Sequence, residues 1–202
     1  MKDLQNLVRP EIELYPIEDV RGLSGNSIRR ILNALVAQAD VYLECGVYCG
    51  LSFTSAMYRN DLLKHAIAID SWAEKFGKGI DPRKEFLAAV EKYFPKTVPF
   101  TLIEANHWDV KELPEQPDLF YYDGAHDMKS QERALTHYGK MCTEEFIFCC
   151  DDWNRPVVRE GTRKGLQNFV IVDEWEKILD PLKDTNDKEW WNGFYVARLQ
   201  QK

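Results

Sequence analysis

Val41-Tyr-Leu-Glu-Cys-Gly-Val-Tyr-Cys-Gly50 is the stretch that decides the fold of this chain. Val41, Tyr42 and Leu43 have the apolar, partly β-branched character of a short buried strand. Glu44 adds a carboxylate near its end, and Gly46 and Gly50 supply positions where backbone can turn sharply and approach a ligand closely. Leu51 to Arg59 then reads as a helix. Strand, glycine turn and helix in succession form the grip that α/β sheets place on adenosine-containing cofactors, using backbone amides of the turn and a nearby acid.

Spacing discriminates among such cofactors. A dinucleotide fingerprint needs three glycines as G-x-G-x-x-G, whereas here an acid stands two residues before Gly46 and only Gly50 follows. A phosphate-binding loop closes on Gly-Lys-Ser/Thr, and this turn closes on Gly50-Leu51-Ser52, without the lysine that meets phosphate charge.

Working outward, the rhythm of strand and helix continues. Ser24-Gly-Asn-Ser27 offers capping side chains ahead of a helix whose apolar residues are Ile28, Ile31, Leu32, Leu35 and Val36. Ala66 to Ile69 forms a strand ending in Asp70, Phe100 to Ile103 one ending in Glu104, Leu119 to Tyr122 one ending in Asp123, and Phe146 to Cys150 one ending in Asp151-Asp152. Helical patterns at 83–93, 129–138 and 157–169 separate them, and 169–172 and 194–197 fit two closing strands. The expected architecture is an α/β, doubly wound, mostly parallel seven-stranded Rossmann-like sheet with helices on both faces, its ligand at the carboxyl ends of the strands. Residues 173–191 read as a polar, tryptophan-bearing connection, a short helix plus loop over part of the site.

Length and charge bound the rest. At 202 residues the chain suits one domain, with 1–39 as an amino-terminal helical cap, 40–155 as cofactor-binding core and 156–202 as closing elements. A formal charge of −7 opposes polyphosphate partners, so nucleic acid is not expected. No apolar stretch reaches the ~20 residues of a membrane span and the first residues lack a signal-peptide core, so a soluble, cytoplasmic protein without a membrane partner is expected. Five cysteines without C-x-x-C pairing read as reduced, mostly buried thiols, and the adjacent Cys149 and Cys150 point to opposite faces of a strand. Oligomeric state is not written in the sequence, and a homo-oligomer stays open.

Glu44-Cys-Gly-Val-Tyr-Cys-Gly50 resembles the acid-x-Gly-x-x-x-Gly signature of class I S-adenosylmethionine-dependent methyltransferases. Tyr121-Tyr-Asp-Gly-Ala-His126 and Cys149-Cys-Asp-Asp-Trp153 narrow the likeness, since Asp-Gly-x-His at one strand tip and Asp-Asp-Trp/Tyr at the next resemble the metal-dependent branch that includes macrocin and aminocoumarin sugar O-methyltransferases. The resemblance implies S-adenosylmethionine held by Glu44, Cys45, Gly46, Tyr48, Gly50, Asp70, Ser71, Ala105, Asn106 and Asp123, with Asp70 on the ribose and Ala105 or Asn106 on the adenine. It also implies Asp123, Asp151 and Asp152 as metal ligands.

The residues support that chemistry in their own right. Three carboxylates at neighbouring strand tips repel unless a cation stands between them, and all-oxygen ligation suits Mg²⁺, or Ca²⁺ or Mn²⁺, but not zinc. A bound metal would acidify an acceptor hydroxyl. His126 or Asp123 would take the proton, and Arg155 is near enough to meet an acidic substrate group. The expected activity is methylation of a small hydroxylated acceptor at oxygen. Alternatives are a metal-independent methyltransferase, a Rossmann-like NAD-binding oxidoreductase and a non-catalytic cofactor-binding module. The same strand-end residues also have bland readings: Asp151-Asp152 can be a helix amino-terminal cap, and His107 an exposed or capping side chain.

Overall fold

The computed structural model describes residues 4–8, 17–73, 79–180 and 188–202. Its strands are β1 (Val41–Cys45), β2 (His65–Asp70), β3 (Phe100–Glu104), β4 (Leu119–Tyr122), β5 (Glu145–Asp151), β6 (Phe169–Lys177) and β7 (Phe194–Gln201). They form one seven-stranded sheet in the order β3-β2-β1-β4-β5-β7-β6. Pairing is parallel from β3 to β5, and β7 runs antiparallel between β5 and β6. The order reverses between β1 and β4, so the connections that follow these two strands leave in opposite directions and open the crevice where doubly wound sheets place ligands.

Alternate residues of the central strands feed two separate cores. Tyr42, Ala66, Ala68, Tyr121 and Cys149 pack with α2 (Asn26–Val36), α3 (Leu51–Met57) and α4 (Pro82–Tyr93) on one face. Val41, Leu43, Cys45, Phe120, Tyr122 and Cys150 pack with α5 (Met128–Tyr138) and α6 (Pro156–Leu166) on the other. Both faces of a central strand are therefore buried, which is why the strands read as continuous apolar runs. A four-residue turn of helix, α1 (Leu4–Leu7), lies at the edge of the first core. All five cysteines are buried and none is in a disulfide, with Cys149 and Cys150 in opposite cores.

Three expectations change. The polar stretch after Val172 is not a connection at its start: Asp173 to Lys177 continue β6, because β7 supplies backbone partners as far as Phe194, with an irregularity between Ile171 and Asp173. An edge strand needs few apolar residues, and β6 is mostly exposed. The helix expected to reach Phe169 ends at Leu166, and Phe169 opens β6. The cap of α2 is not local. Gly25 stands at the N-cap without a side-chain bond, while the amides of Asn26 and Ser27 donate to the carbonyls of Lys188 and Glu189 at 2.7 and 2.9 Å. Residues 181–187 of the expected helix plus loop lie outside the described residues. Among the described residues no helix is long and apolar enough to cross a membrane.

Candidate active site

The tip of β1 meets the tip of β4 at van der Waals limits. Gly46 has φ +94°, and a Cβ there would lie 2.1 Å from the Asp123 carbonyl oxygen, so no other residue fits this crossing. Asp123 N–H in turn donates to the Cys45 carbonyl at 2.9 Å. Gly50, at φ +92°, is the N-cap of α3 and faces Phe86 rather than the crevice.

Asp70 organises the cofactor side. Its two carboxylate oxygens accept the Tyr48 N–H at 2.9 Å and the Trp72 N–H at 2.8 Å, and the Trp72 indole donates to the Tyr48 carbonyl at 2.8 Å. Tyr48 (φ 44°) and Trp72 (φ 46°) are both left-handed, a conformation costing about 1–2 kcal/mol for a residue with a side chain. One carboxylate clamps both, and each of its oxygens keeps a lone pair for a ligand hydroxyl. Strain held in this way gathers where a ligand must be met.

Glu44 turns away from the crevice. It is fully buried, accepting hydrogen bonds from the Tyr42 hydroxyl at 2.5 Å and from the Ser52 hydroxyl. Burial raises its pKa to about 8 against the opposing pull of those two donors. Its work is to join β1 to the first turn of α3, and Ser52 is the member of the trio that reaches the cavity.

Around Asp123, five further polar side chains converge. His126 Nε2 stands 2.9 Å from Asp152 Oδ2 and 3.5 Å from Asp123 Oδ1, a close charge contact without hydrogen-bond alignment. Burial alone would lower the His126 pKa, but the nearness and charge of the Asp123 and Asp152 carboxylates outweigh it and raise it to about 10. Asp152 also has a left-handed backbone, φ 56°, and Arg155 Nη1 lies 3.6 Å from the same Oδ2. Burial pushes the Asp152 carboxyl up, and the His126 contact reverses this and holds it low. Its other oxygen, Oδ1, is buried without a hydrogen-bond partner among the described residues. Asp151 is pushed well above the usual range by burial, then by the charges of Asp123 and Asp152. The Tyr121 hydroxyl reaches an oxygen of Asp123 and one of Asp151, each at 3.3 Å.

One cavity of about 770 Å³ joins these parts, a size typical of small-molecule sites. Gly46, Tyr48, Asp70, Ser71, Asn106 and Asp123 line it, as do His126, Asp151 and Asp152. Glu44, Cys45, Gly50 and Ala105 do not. Half-buried His107 lines it rather than facing solvent. Gly22, Leu23, Ser24, Trp191 and Asn192 also line it and have no motif to announce them, since they arrive from segments far apart in sequence.

Residues 43–153 match the family described as a methyltransferase domain, which is more than half of the chain and runs from β1 through Trp153. The chain belongs to this methyltransferase family. Its architecture is that of the class I S-adenosylmethionine-dependent enzymes, and the oxidoreductase alternative is set aside. No curated protein matches the sequence. Among solved structures, the methyltransferase is similar to a putative O-methyltransferase from Klebsiella pneumoniae, at 17% identity and TM-score 0.60, covering 98% of this chain and 87% of that one. It is similar to the O-methyltransferase from Bacillus cereus in complex with S-adenosylhomocysteine, at 13% identity and TM-score 0.62, covering 92% and 84%. A putative RNA methyltransferase from Pyrococcus horikoshii is similar at 14% identity and TM-score 0.58, covering 98% and 96%. At these identities the likeness is one of fold, shared by proteins whose names give different acceptors.

The methyltransferase does not present the expected metal centre. Its carboxylates are hard donors of the right kind. Among the described residues, however, no three His, Cys, Asp or Glu side chains converge in an arrangement that could hold an ion. The His126 imidazole occupies the space between Asp123 and Asp152 where a shared cation would stand, and Asp151 is 3% exposed and turned to Tyr121. The positive charge that three acids require is supplied by His126 and Arg155.

Proposed function

We propose that this methyltransferase transfers the methyl group of S-adenosylmethionine to a hydroxyl oxygen of a small acceptor, without a metal. The observation that carries the reading is the continuity of one cavity from the Gly46–Cys49 turn and Asp70 at one end to Asp123, His126 and Asp152 at the other. When bound, the cofactor supplies an electrophilic methyl on sulfur.

The chain's residues do the remaining work. Asp70 takes the ribose hydroxyls on its free lone pairs while holding Tyr48 and Trp72 in place. Asn106, whose side chain accepts the Trp108 N–H at 3.0 Å, opens the turn that carries His107 and Trp108 along the adenine side. Asp152, which lines the cavity, would accept a hydrogen bond from the acceptor hydroxyl and so orient it. The proton that the hydroxyl releases as its oxygen is methylated would pass to Asp152. A carboxylate of low pKa suffices, because the oxygen becomes strongly acidic as it is alkylated. His126, protonated at neutral pH, holds Asp152 and Asp123 in register.

Calorimetry with S-adenosylhomocysteine and with NAD tests the cofactor assignment: stabilisation by NAD alone would refute it. Methyl transfer from labelled S-adenosylmethionine to a panel of hydroxylated, amino and RNA acceptors tests the rest, and transfer confined to nitrogen or RNA would overturn the oxygen assignment.

A further inference from the structure

Two stretches that line the cavity from distant parts of the sequence are tied together by a side chain that does not line it. Gly22, Leu23 and Ser24 lead into α2, and Trp191 and Asn192 lead into β7. Glu189 joins them. Its carboxylate accepts the Ser27 hydroxyl at 3.2 Å, the Asn26 side-chain amide at 3.4 Å and the Arg30 guanidinium at 3.0 Å. Its carbonyl accepts the Ser27 N–H, and the Lys188 carbonyl accepts the Asn26 N–H. Gly25 makes this approach possible, because a Cβ there would lie 2.5 Å from the Glu189 carbonyl oxygen and 2.9 Å from the Trp191 nitrogen. The carboxylate also meets the free amides and positive dipole end of α2, a task for which Gly25 at the N-cap has no side chain.

The joined stretches end against different parts of the site. On one side a Cβ at Gly22 would lie 2.3 Å from Leu51 Cβ, and Leu51 opens α3 directly after the Gly46–Gly50 turn. On the other side the Asn192 carbonyl accepts the Asn154 N–H at 2.7 Å, two residues beyond Asp152. A line of contacts therefore runs from the cofactor turn through 22–24, the start of α2, Glu189 and 191–192 to the Asp152 corner. Its middle link is an ion pair whose partners, Arg30 and Glu189, have side chains 27% and 36% exposed. Such a pair is screened less by solvent than one on the open surface.

We propose that Glu189 is a positioning residue for cofactor binding, which fastens 188–192 to α2 and so holds 22–24 and 191–192 as one wall of the cavity. The assignment rests on the cofactor reading above and is independent of the acceptor. Glu189 acts through the residues it holds and touches no ligand. A wall already fixed in its binding arrangement needs no ordering when the ligand arrives, whereas a loosened wall lowers the apparent affinity by the fraction of molecules that have it in place. One charge-assisted hydrogen bond supported by two neutral donors is enough to change that fraction on the order of fivefold to tenfold.

The test measures S-adenosylhomocysteine affinity by calorimetry in the absence of denaturant, with urea midpoints recorded alongside. The proteins are wild type, Glu189→Ala, Glu189→Gln, Arg30→Met, the Glu189→Ala/Arg30→Met double variant and Gly25→Ala. Glu189→Ala should weaken binding roughly fivefold to tenfold although the protein is fully folded. Glu189→Gln keeps one acceptor oxygen and should recover part of the loss. Adding Arg30→Met to Glu189→Ala should weaken binding little further, since both remove one contact. Gly25→Ala pushes the Glu189 carbonyl away with the carboxylate intact, and should weaken binding in the same direction. A Glu189 that only caps α2 would lower the urea midpoint and leave every affinity at the wild-type value, and that result overturns the assignment. Fully additive losses from Glu189→Ala and Arg30→Met would overturn it as well. Absence of S-adenosylhomocysteine binding by wild type strikes the cofactor reading instead, and is told apart because it precedes any substitution.

Discussion

Replacing Glu44 with glutamine should change how stability depends on pH. The carboxyl is fully buried and its pKa in the folded protein is raised from 4.5 to about 8, chiefly by burial. Folding therefore favours the protonated form. Stability from this group is complete below the unfolded value and is lost as pH rises through the folded one, so the window is pH 4.5 to 8. A shift of three to four units at about 1.4 kcal/mol each is on the order of 5 kcal/mol across that window. Glutamine keeps the shape, carries no charge, and can accept from one of Tyr42 and Ser52 while donating to the other. Urea denaturation of both proteins at several pH values from 5 to 9 measures the effect. The stability of Glu44→Gln relative to wild type should climb by several kcal/mol over that range, while its affinity for S-adenosylhomocysteine stays level because Glu44 does not line the cavity. Parallel stability curves would refute the burial argument, and a collapse in cofactor affinity would show that Glu44 reaches the ligand after all.

Gly46→Ala places a methyl 2.1 Å from the Asp123 carbonyl at φ +94° and should destabilise the fold by about 3 kcal/mol or more, read from its denaturation midpoint. Asp152→Asn should lower kcat about 100-fold or more without altering S-adenosylhomocysteine binding measured by calorimetry. Wild-type activity after exhaustive chelation should equal that of untreated enzyme; a restored rate on adding Mg²⁺ would reinstate the three carboxylates as a metal centre. Burial raises the pKa of the Cys45, Cys142, Cys149 and Cys150 thiols, so a thiol reagent should modify them only when the protein unfolds, detectable by mass spectrometry across a denaturant series.

Much of the sheet was legible because period and punctuation report local structure. The apolar runs at Val41, Ala66, Phe100, Leu119 and Phe146 and the acids that follow them locate five strands and their tips. Direction is another matter. Glu44 faces the same side of the sheet as Asp70, yet one points into a core and the other into the crevice, because Glu44 lies inside its strand, where Tyr42 and Ser52 offer it a buried partner set, while Asp70 is the last residue of β2. The extent of β6 was hidden too, since Asp173 to Lys177 owe their strand conformation to β7 and not to their own composition. His126 was readable as a neighbour of Asp123, but its place between two carboxylates, and with it the loss of a metal-binding arrangement, depends on how β4 and β5 are spaced. The remote cap on α2 and the contributions of Leu23 and Trp191 follow from contacts across more than a hundred and sixty residues, which no local pattern encodes.

Two segments that line the cavity, 22–24 and 191–192, have a consequence for how such an enzyme can diversify. Neither 22–24 nor 191–192 belongs to a strand of the sheet. Random libraries confined to Leu23, Ser24 and Trp191 would therefore vary the chemistry presented to incoming molecules while sparing the clamp on Tyr48 and Trp72. Division of labour between a conservative half and a plastic half makes these few positions the economical place to redirect the enzyme toward new alcohols and phenols.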